Sequence, residues 1–162
     1  MERDRKILRL LQDDARLTAD QIAGRLGITP DEAREAVASL EARKAILAYK
    51  AIVNPEAADA DMVEAVIDVK VRPKRGLGFH DVARRIARFP EVKSLYLMSG
   101  GSDLMVFIQG RSLKEIASFV TDTLATLEDV EETVSHFALK LYKKDGILIE
   151  EDGSPGRLPV TP

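Results

Sequence analysis

The 162-residue chain has no cysteine and no tryptophan; aromatic residues make up 5% of it, and there are two histidines. Without cysteine it can form no disulfide, thiolate nucleophile or thiolate metal site. His80 and His136 lie far apart in sequence, so no metal site is expected, and no cofactor. With so few rings, aliphatic side chains must fill the core. No apolar run approaches the roughly 18 residues that span a bilayer. The opening MERDRKILRLLQ is charged from its second residue and lacks the apolar centre of a signal peptide, so a cytoplasmic protein is expected. A strong charge of one sign is missing too: the net charge is −3. Residues 1–55 hold 10 Lys+Arg against 9 Asp+Glu, and residues 56–162 hold 14 against 18. Neither half is polybasic. Any DNA binding must rest on a few well-placed cations, multiplied by assembly.

What is present falls into two rhythms. The first is helical. Ile7, Leu8, Leu10 and Leu11 form an apolar stripe that stops before Asp13-Asp14. Thr18-Ala19-Asp20-Gln21 has capping-box spacing and opens a second helix carrying Ile22, Ala23 and Leu26, with Gly27 as a left-handed cap. Thr29-Pro30-Asp31-Glu32 repeats the start signal with Pro at the first helical position. The third helix is expected to bury Ala33, Val37 and Leu40. Three residues, Gly27, Ile28 and Thr29, separate helices two and three, which is helix-turn-helix spacing. Residues 46–53 are rich in β-formers and predict a wing strand, stopped by Asn54-Pro55.

The second rhythm alternates. Val63, Ala65, Ile67, Val69 and Val71 interleave with charged residues as a half-buried strand. A helix face follows in Phe79, Val82, Ala83, Ile86 and Ala87, closed by Pro90. Strands are expected at 92–98 and 104–109, joined by Ser99-Gly100-Gly101-Ser102-Asp103. Ser112-Leu113-Lys114-Glu115 is a third capping box, for a helix burying Ile116, Phe119, Val120, Thr123, Leu124 and Leu127. A last strand is expected at 130–142. The order β-α-β-β-α-β is the ferredoxin-like split arrangement. Its helices cover one sheet face and leave the other bare, which predicts at least a homodimer. The fold class is therefore α+β: a winged helix-turn-helix over 1–54, a linker over 55–62, a βαββαβ domain over 63–146 and a flexible tail over 147–162.

In this order, Asp4-Arg5-Lys6-Ile7-Leu8 with Leu10-Leu11, Arg16-Leu17-Thr18, Ile22-Ala23, Leu26-Gly27, and Leu40-Glu41 before Ile46 resemble the Lrp/AsnC family of transcription regulators. Pro90-Glu91-Val92 with Tyr96, the 99–103 hairpin and Val130-Glu131-Glu132-Thr133 extend the resemblance over residues 3–146. It implies a DNA-binding regulator without an active site, whose C-terminal (RAM) domain binds a small-molecule effector, most often an amino acid. It also implies dimers joined through that domain and rings such as four dimers. Two positions depart from the family. Its recognition helix usually carries arginines near Ala36 and Ser39, and glycine usually stands where Lys44 does.

The candidate DNA contacts follow from the third helix, whose start enters the groove. Asp31, Glu32, Arg34 and Glu35 are the base-facing candidates, with Ser39 further along. Thr18 and Thr29 can offer hydroxyls or backbone N–H groups to phosphate, and Arg43, Lys44 and Lys50 can hold the backbone. The resemblance places the effector near Ser99, Gly100, Gly101, Ser102 and Asp103. There the glycine N–H groups could take an α-carboxylate and Asp103 an α-ammonium, with Thr133 and Ser135 alongside. Two other readings stay open: an amino-acid sensor with a non-DNA-binding winged domain, favoured by the acidic third helix, and a sirohaem-decarboxylase-like enzyme of the same architecture.

Overall fold

A computed structural model describes residues 2–55, 62–72 and 79–149. Residues 56–61 of the expected linker, residues 73–78, and residues 150–162 of the expected tail lie outside the described residues. The chain divides into two compact units, the first ending at Ile52 and the second beginning at Val53.

The first unit holds α1 (Glu2–Asp13), α2 (Ala19–Leu26) and α3 (Pro30–Ala42). Both expected capping boxes form. Thr18 and Gln21 satisfy each other's backbone N–H groups, as do Thr29 and Glu32. Gly27 ends α2 at φ 67, the left-handed region that glycine enters without a Cβ clash. Ile7, Leu11, Ile22, Ala23, Ala33, Ala36 and Leu40 form the core. The expected face of α3 is thus turned slightly: Ala36 is buried, and Val37 is only partly so.

The expected wing is not there. Residues 46–53 form no strand, and Leu47 is 85% exposed. A β-prone run becomes a strand only where an edge offers it a ladder, and the first unit contains no other strand among the described residues. Lys44 takes φ 57, a conformation that costs a side-chain-bearing residue energy and that glycine, which the resemblance expects here, adopts freely.

The second unit is built on β1 (Val63–Val71), α4 (Phe79–Ile86), β2 (Val92–Leu97), β3 (Leu104–Gly110), α5 (Leu113–Phe119) and β4 (Val130–Phe137). The sheet order is β2-β3-β1-β4 with every neighbour antiparallel, as the ferredoxin-like arrangement requires. Ala65, Ile67, Val69 and Val71 of β1 and Leu104, Val106 and Ile108 of β3 are buried with Val82, Ile86, Ile116, Phe119, Val120 and Leu124. Phe89 and Phe119 meet edge to face at 5.4 Å within this layer. Ala87, expected on the core face of α4, is exposed instead, and Thr123 and Leu127 are only partly buried.

Three further differences have local causes. After α5 the chain winds as a π-helix, Val120–Leu124, before reaching β4. Ser112 caps Glu115 N–H, but the returning Glu115 carboxylate accepts from Arg111 N–H at 2.6 Å, one residue early for a closed box. The last strand ends at Phe137, not 142. Ala138 N–H still donates to Glu64 O, but there β1 runs out and Leu139 is 98% exposed. Beyond it β5 (Lys143–Lys144) and β6 (Ile147–Leu148) pair as a small hairpin, so Ile147 and Leu148 are strand residues and not tail.

Replacing Lys44 with glycine should relieve the left-handed backbone. The gain, about 1–2 kcal/mol, exceeds the roughly 0.5–1 kcal/mol of extra chain entropy that glycine loses on folding. The urea midpoint of Lys44→Gly should rise. An unchanged or lower midpoint would contradict the conformation of residue 44.

Candidate functional site

The helix-turn-helix is held by its caps. Thr29 N–H donates to Glu32 Oε2 at 2.8 Å, the Thr29 hydroxyl donates to the same oxygen at 3.0 Å, and Glu32 N–H donates back to Thr29 Oγ1 at 3.2 Å. These bonds, with Arg3 of α1 3.8 Å away, hold the Glu32 carboxyl below the usual glutamate range. Thr18 N–H likewise donates to Gln21 Oε1 at 2.9 Å. The N–H groups of Thr18 and Thr29, expected at phosphate, are therefore already bound inside the protein, and so is the Glu32 carboxylate. The Thr18 hydroxyl accepts from Gln21 N–H at 3.3 Å and keeps its own proton for another acceptor.

The other candidates are partly committed. Arg34 pairs with Asp31 one turn earlier on α3. Arg43 donates to Asp4 at 2.6 Å. Both pairs are at the surface, where an ion pair contributes about 0–1 kcal/mol, so a phosphate can compete for either arginine. Glu35, Ser39, Lys44 and Lys50 are exposed, and their side chains make no hydrogen bond or ion pair among the described residues. Composition could have flagged Arg5, Arg9 and Arg25, which are exposed cations of the same unit.

A feature that sequence reasoning missed lies beside α3. A cavity of about 320 Å³ is lined mainly by Leu11, Leu17, Ile22 and Val37, with Arg34 and Tyr49 at its edge. Tyr49 donates its hydroxyl to Glu41 at 2.8 Å, and burial of the ring raises the phenol pKa. Periodicity could not show this cavity, because Tyr49 approaches α3 from a segment without regular structure.

In the second unit, the 99–103 connection is tied to β1. Asp103 N–H donates to Val69 O at 3.1 Å, and Asp103 Oδ2 accepts from Val71 N–H at 2.8 Å. Gly100 sits at φ 131, and the N–H groups of Gly100 and Gly101 make no hydrogen bond among the described residues. Thr133 lies in register with Val69, and Ser135 with Ile67. Val69 is thus flanked by Asp103 on one side and Thr133 on the other, near one end of β1, whereas Ser135 stands opposite the middle of that strand. One Asp103 oxygen is spent on the backbone, which leaves the other for a ligand ammonium.

The sheet face away from the helices carries Val66, Met105, Phe107, Tyr96 and Val134, half-buried or exposed. Tyr96 and Phe107 meet edge to face at 5.7 Å. Polar pairs cross the same face: Lys70 reaches Glu132 at 2.7 Å, which raises the lysine pKa, and a ring nitrogen of His136 lies 3.1 Å from Asp68. Among the described residues no cluster of three or more metal-ligating side chains occurs, and no helix is long and apolar enough to cross a membrane.

Family models match both units: a winged helix-turn-helix DNA-binding model over residues 2–44 and the Lrp/AsnC ligand-binding domain over 64–148. The chain belongs to the Lrp/AsnC family. It is an HTH-type transcriptional regulator with a ligand-binding domain. Among its Lrp/AsnC relatives is the HTH-type transcriptional regulator YugG of Bacillus subtilis, 44% identical over 99% of this chain and 98% of that one. The leucine-responsive regulatory protein of Rhizobium meliloti is 31% identical over 86% of this chain and 89% of its own. A transcriptional regulator of Neisseria meningitidis, solved in complex with L-Met, is 28% identical with a TM-score of 0.70. That match covers 89% of this chain and 92% of that one.

Two outcomes test this geometry. Thr29→Ala should lower stability by about 1 kcal/mol, the usual loss of a helix N-cap. Because the Glu32 pKa is depressed on folding, its stabilising contribution is present above the ordinary glutamate value and lost as pH falls through the folded value. The difference in melting temperature between wild type and Thr29→Ala should therefore narrow in acid. In the second unit, Asp103→Ala leaves Val71 N–H without its acceptor and should cost about 1–3 kcal/mol. Asp103→Asn, which keeps an acceptor oxygen, should cost less in the same urea titration.

Proposed function

We propose that this Lrp/AsnC chain is a sequence-specific regulator whose assembly or DNA binding is modulated by an amino acid held at residues 99–103, Thr133 and Ser135. The observation that carries the DNA half is the pair of capped helices α2 and α3 joined through three residues, with α3 presenting an exposed face. Arg34, Glu35, Ser39, Arg43, Lys44 and Lys50 are its DNA contacts. Asp31 acts by holding Arg34, and Glu32, Thr18 and Thr29 act by fixing the helix starts. The domain boundaries that suit this division are 1–54 and 63–146, with 55–62 as linker.

The effector half is supported by the free N–H groups of Gly100 and Gly101 in the same short connection as the second Asp103 oxygen, a set of groups suited to a zwitterion. The L-Met complex of the Neisseria relative supports the same ligand class. The open sheet face supports a homodimer as the unit of assembly, since its apolar side chains, Val66, Met105, Phe107 and Val134, would be covered by the same face of a second copy. A ligand that binds one assembly state better than another shifts the assembly equilibrium. It thereby changes how many copies of α3 meet one duplex.

Sedimentation of the full chain and fluorescence anisotropy with genomic DNA fragments, each with and without a mixture of amino acids, test both halves. The expected result is a dimer or larger species, a salt-dependent complex with a subset of fragments, and a shift in one of these on adding the mixture. Replacing Gly101 with proline, which removes one of these N–H groups and leaves Gly100 free to keep its positive φ, should weaken the shift while leaving DNA binding intact. A protein that binds all fragments equally, or none, would sink the regulator proposal. An amino acid that binds without altering DNA binding would favour a sensor.

A further inference from the structure

We infer that Glu35 is the side chain through which α3 selects a base, by accepting a hydrogen bond from the N4 amino group of a cytosine in the major groove. The inference rests on the DNA-reading role proposed above and assigns a specificity determinant within it.

Helix α3 carries four carboxylates, and the structure separates them. Asp31 is held by Arg34. Glu32 is locked into the Thr29 cap. Glu41 accepts from the Tyr49 hydroxyl and lines the cavity at the side of the helix. Glu35 makes no hydrogen bond or ion pair among the described residues and is exposed. Helical periodicity places it on the outward face. Ala33, Ala36 and Leu40 are buried, so Asp31, Glu35, Ala38, Ser39 and Ala42 project from the opposite side. Ser39 and Ala42, the residues of that face after Glu35 towards the C-terminus, have small side chains, while Ala38 stands at its border with the Tyr49 cavity. Glu35 lies in the first half of the helix, the part that reaches base edges when such a helix docks.

An ionised carboxylate only accepts hydrogen bonds. In the major groove guanine offers N7 and O6, and thymine O4, which are all acceptors and repel it. Adenine sets its N6 donor beside the N7 acceptor. Cytosine offers the N4 donor alone. An unpaired carboxylate brought among phosphates is destabilising everywhere except where it finds that donor. Glu35 therefore specifies chiefly by rejecting the other bases.

The test is selection from a randomised duplex library by the full-length protein at near-physiological salt, with and without an amino-acid mixture. Wild type, Glu35→Gln, Glu35→Ala and Glu32→Gln are compared, each checked for wild-type circular dichroism. Wild type should select cytosine at one fixed position in each half-site, by on the order of tenfold over other bases. Glu35→Gln should switch that position to adenine, whose N6 and N7 a glutamine amide engages together. Glu35→Ala should lose the preference without losing overall affinity, because an acid is removed from the phosphates. Glu32→Gln should leave the base profile unchanged, because the amide can still cap Thr29. A recurrent site whose profile is the same in wild type, Glu35→Gln and Glu35→Ala would overturn the assignment and leave the DNA-reading role standing. A wild-type protein that selects no recurrent site would overturn both.

Discussion

Strand β1 is hydrogen-bonded along both edges, to β3 on one side and β4 on the other, and its strict alternation decides what each sheet face becomes. Ala65, Ile67, Val69 and Val71 point to the helices, and Glu64, Val66, Asp68 and Lys70 point away. A slip of one residue would exchange those sets and bury two acids and a lysine, which makes the register highly specified. The 99–103 connection inherits this precision. Asp103 is bonded to Val69 and Val71 at the end of β1, while Thr133 is set opposite Val69 by the second ladder. The candidate ligand groups are therefore positioned by the most constrained strand of the unit, although several of them sit on an exposed connection.

Most of this architecture was legible in the sequence because it rests on local signals. The capping spacings at Thr18 and Thr29, the glycine after α2, and the alternation of β1 each name a conformation independent of what surrounds it. The failures arose where a segment's fate depends on a distant partner. Residues 46–53 have the composition of a strand, but no ladder accompanies them within their own unit. Leu139 and Leu141 continue the alternation of β4 past the point where β1 can pair with it. Strand propensity describes a residue's fit to a pleated surface and cannot say where that surface ends.

The candidate site shows a different difficulty. Thr29-Pro30-Asp31-Glu32 was legible both as a capping box and as the leading edge of a DNA-reading helix, and Glu32 was assigned to both. Geometry makes the two compete for one carboxylate, and the cap takes it. Glu35, next along the helix, has the same chemistry and none of the obligations. The cavity beside Tyr49 and the Tyr96–Phe107 contact on the open sheet face are tertiary in origin, and no pattern along the chain marks them.

The ladder between β1 and β4 joins residues 63–71 to residues 130–137, so the order of translation matters. The helical unit closes on contacts made within its first 52 residues and can form while the rest of the chain is still in the ribosome. The sheet cannot: its central strand waits, with one edge unpaired, until residues 130–137 have emerged. For that interval an apolar, β-branched strand is exposed in a growing chain, the state in which nascent proteins are most open to chaperones and to mispairing with one another. Completing β4 ends that exposure, so chain synthesis itself sets when the ligand-binding domain first exists.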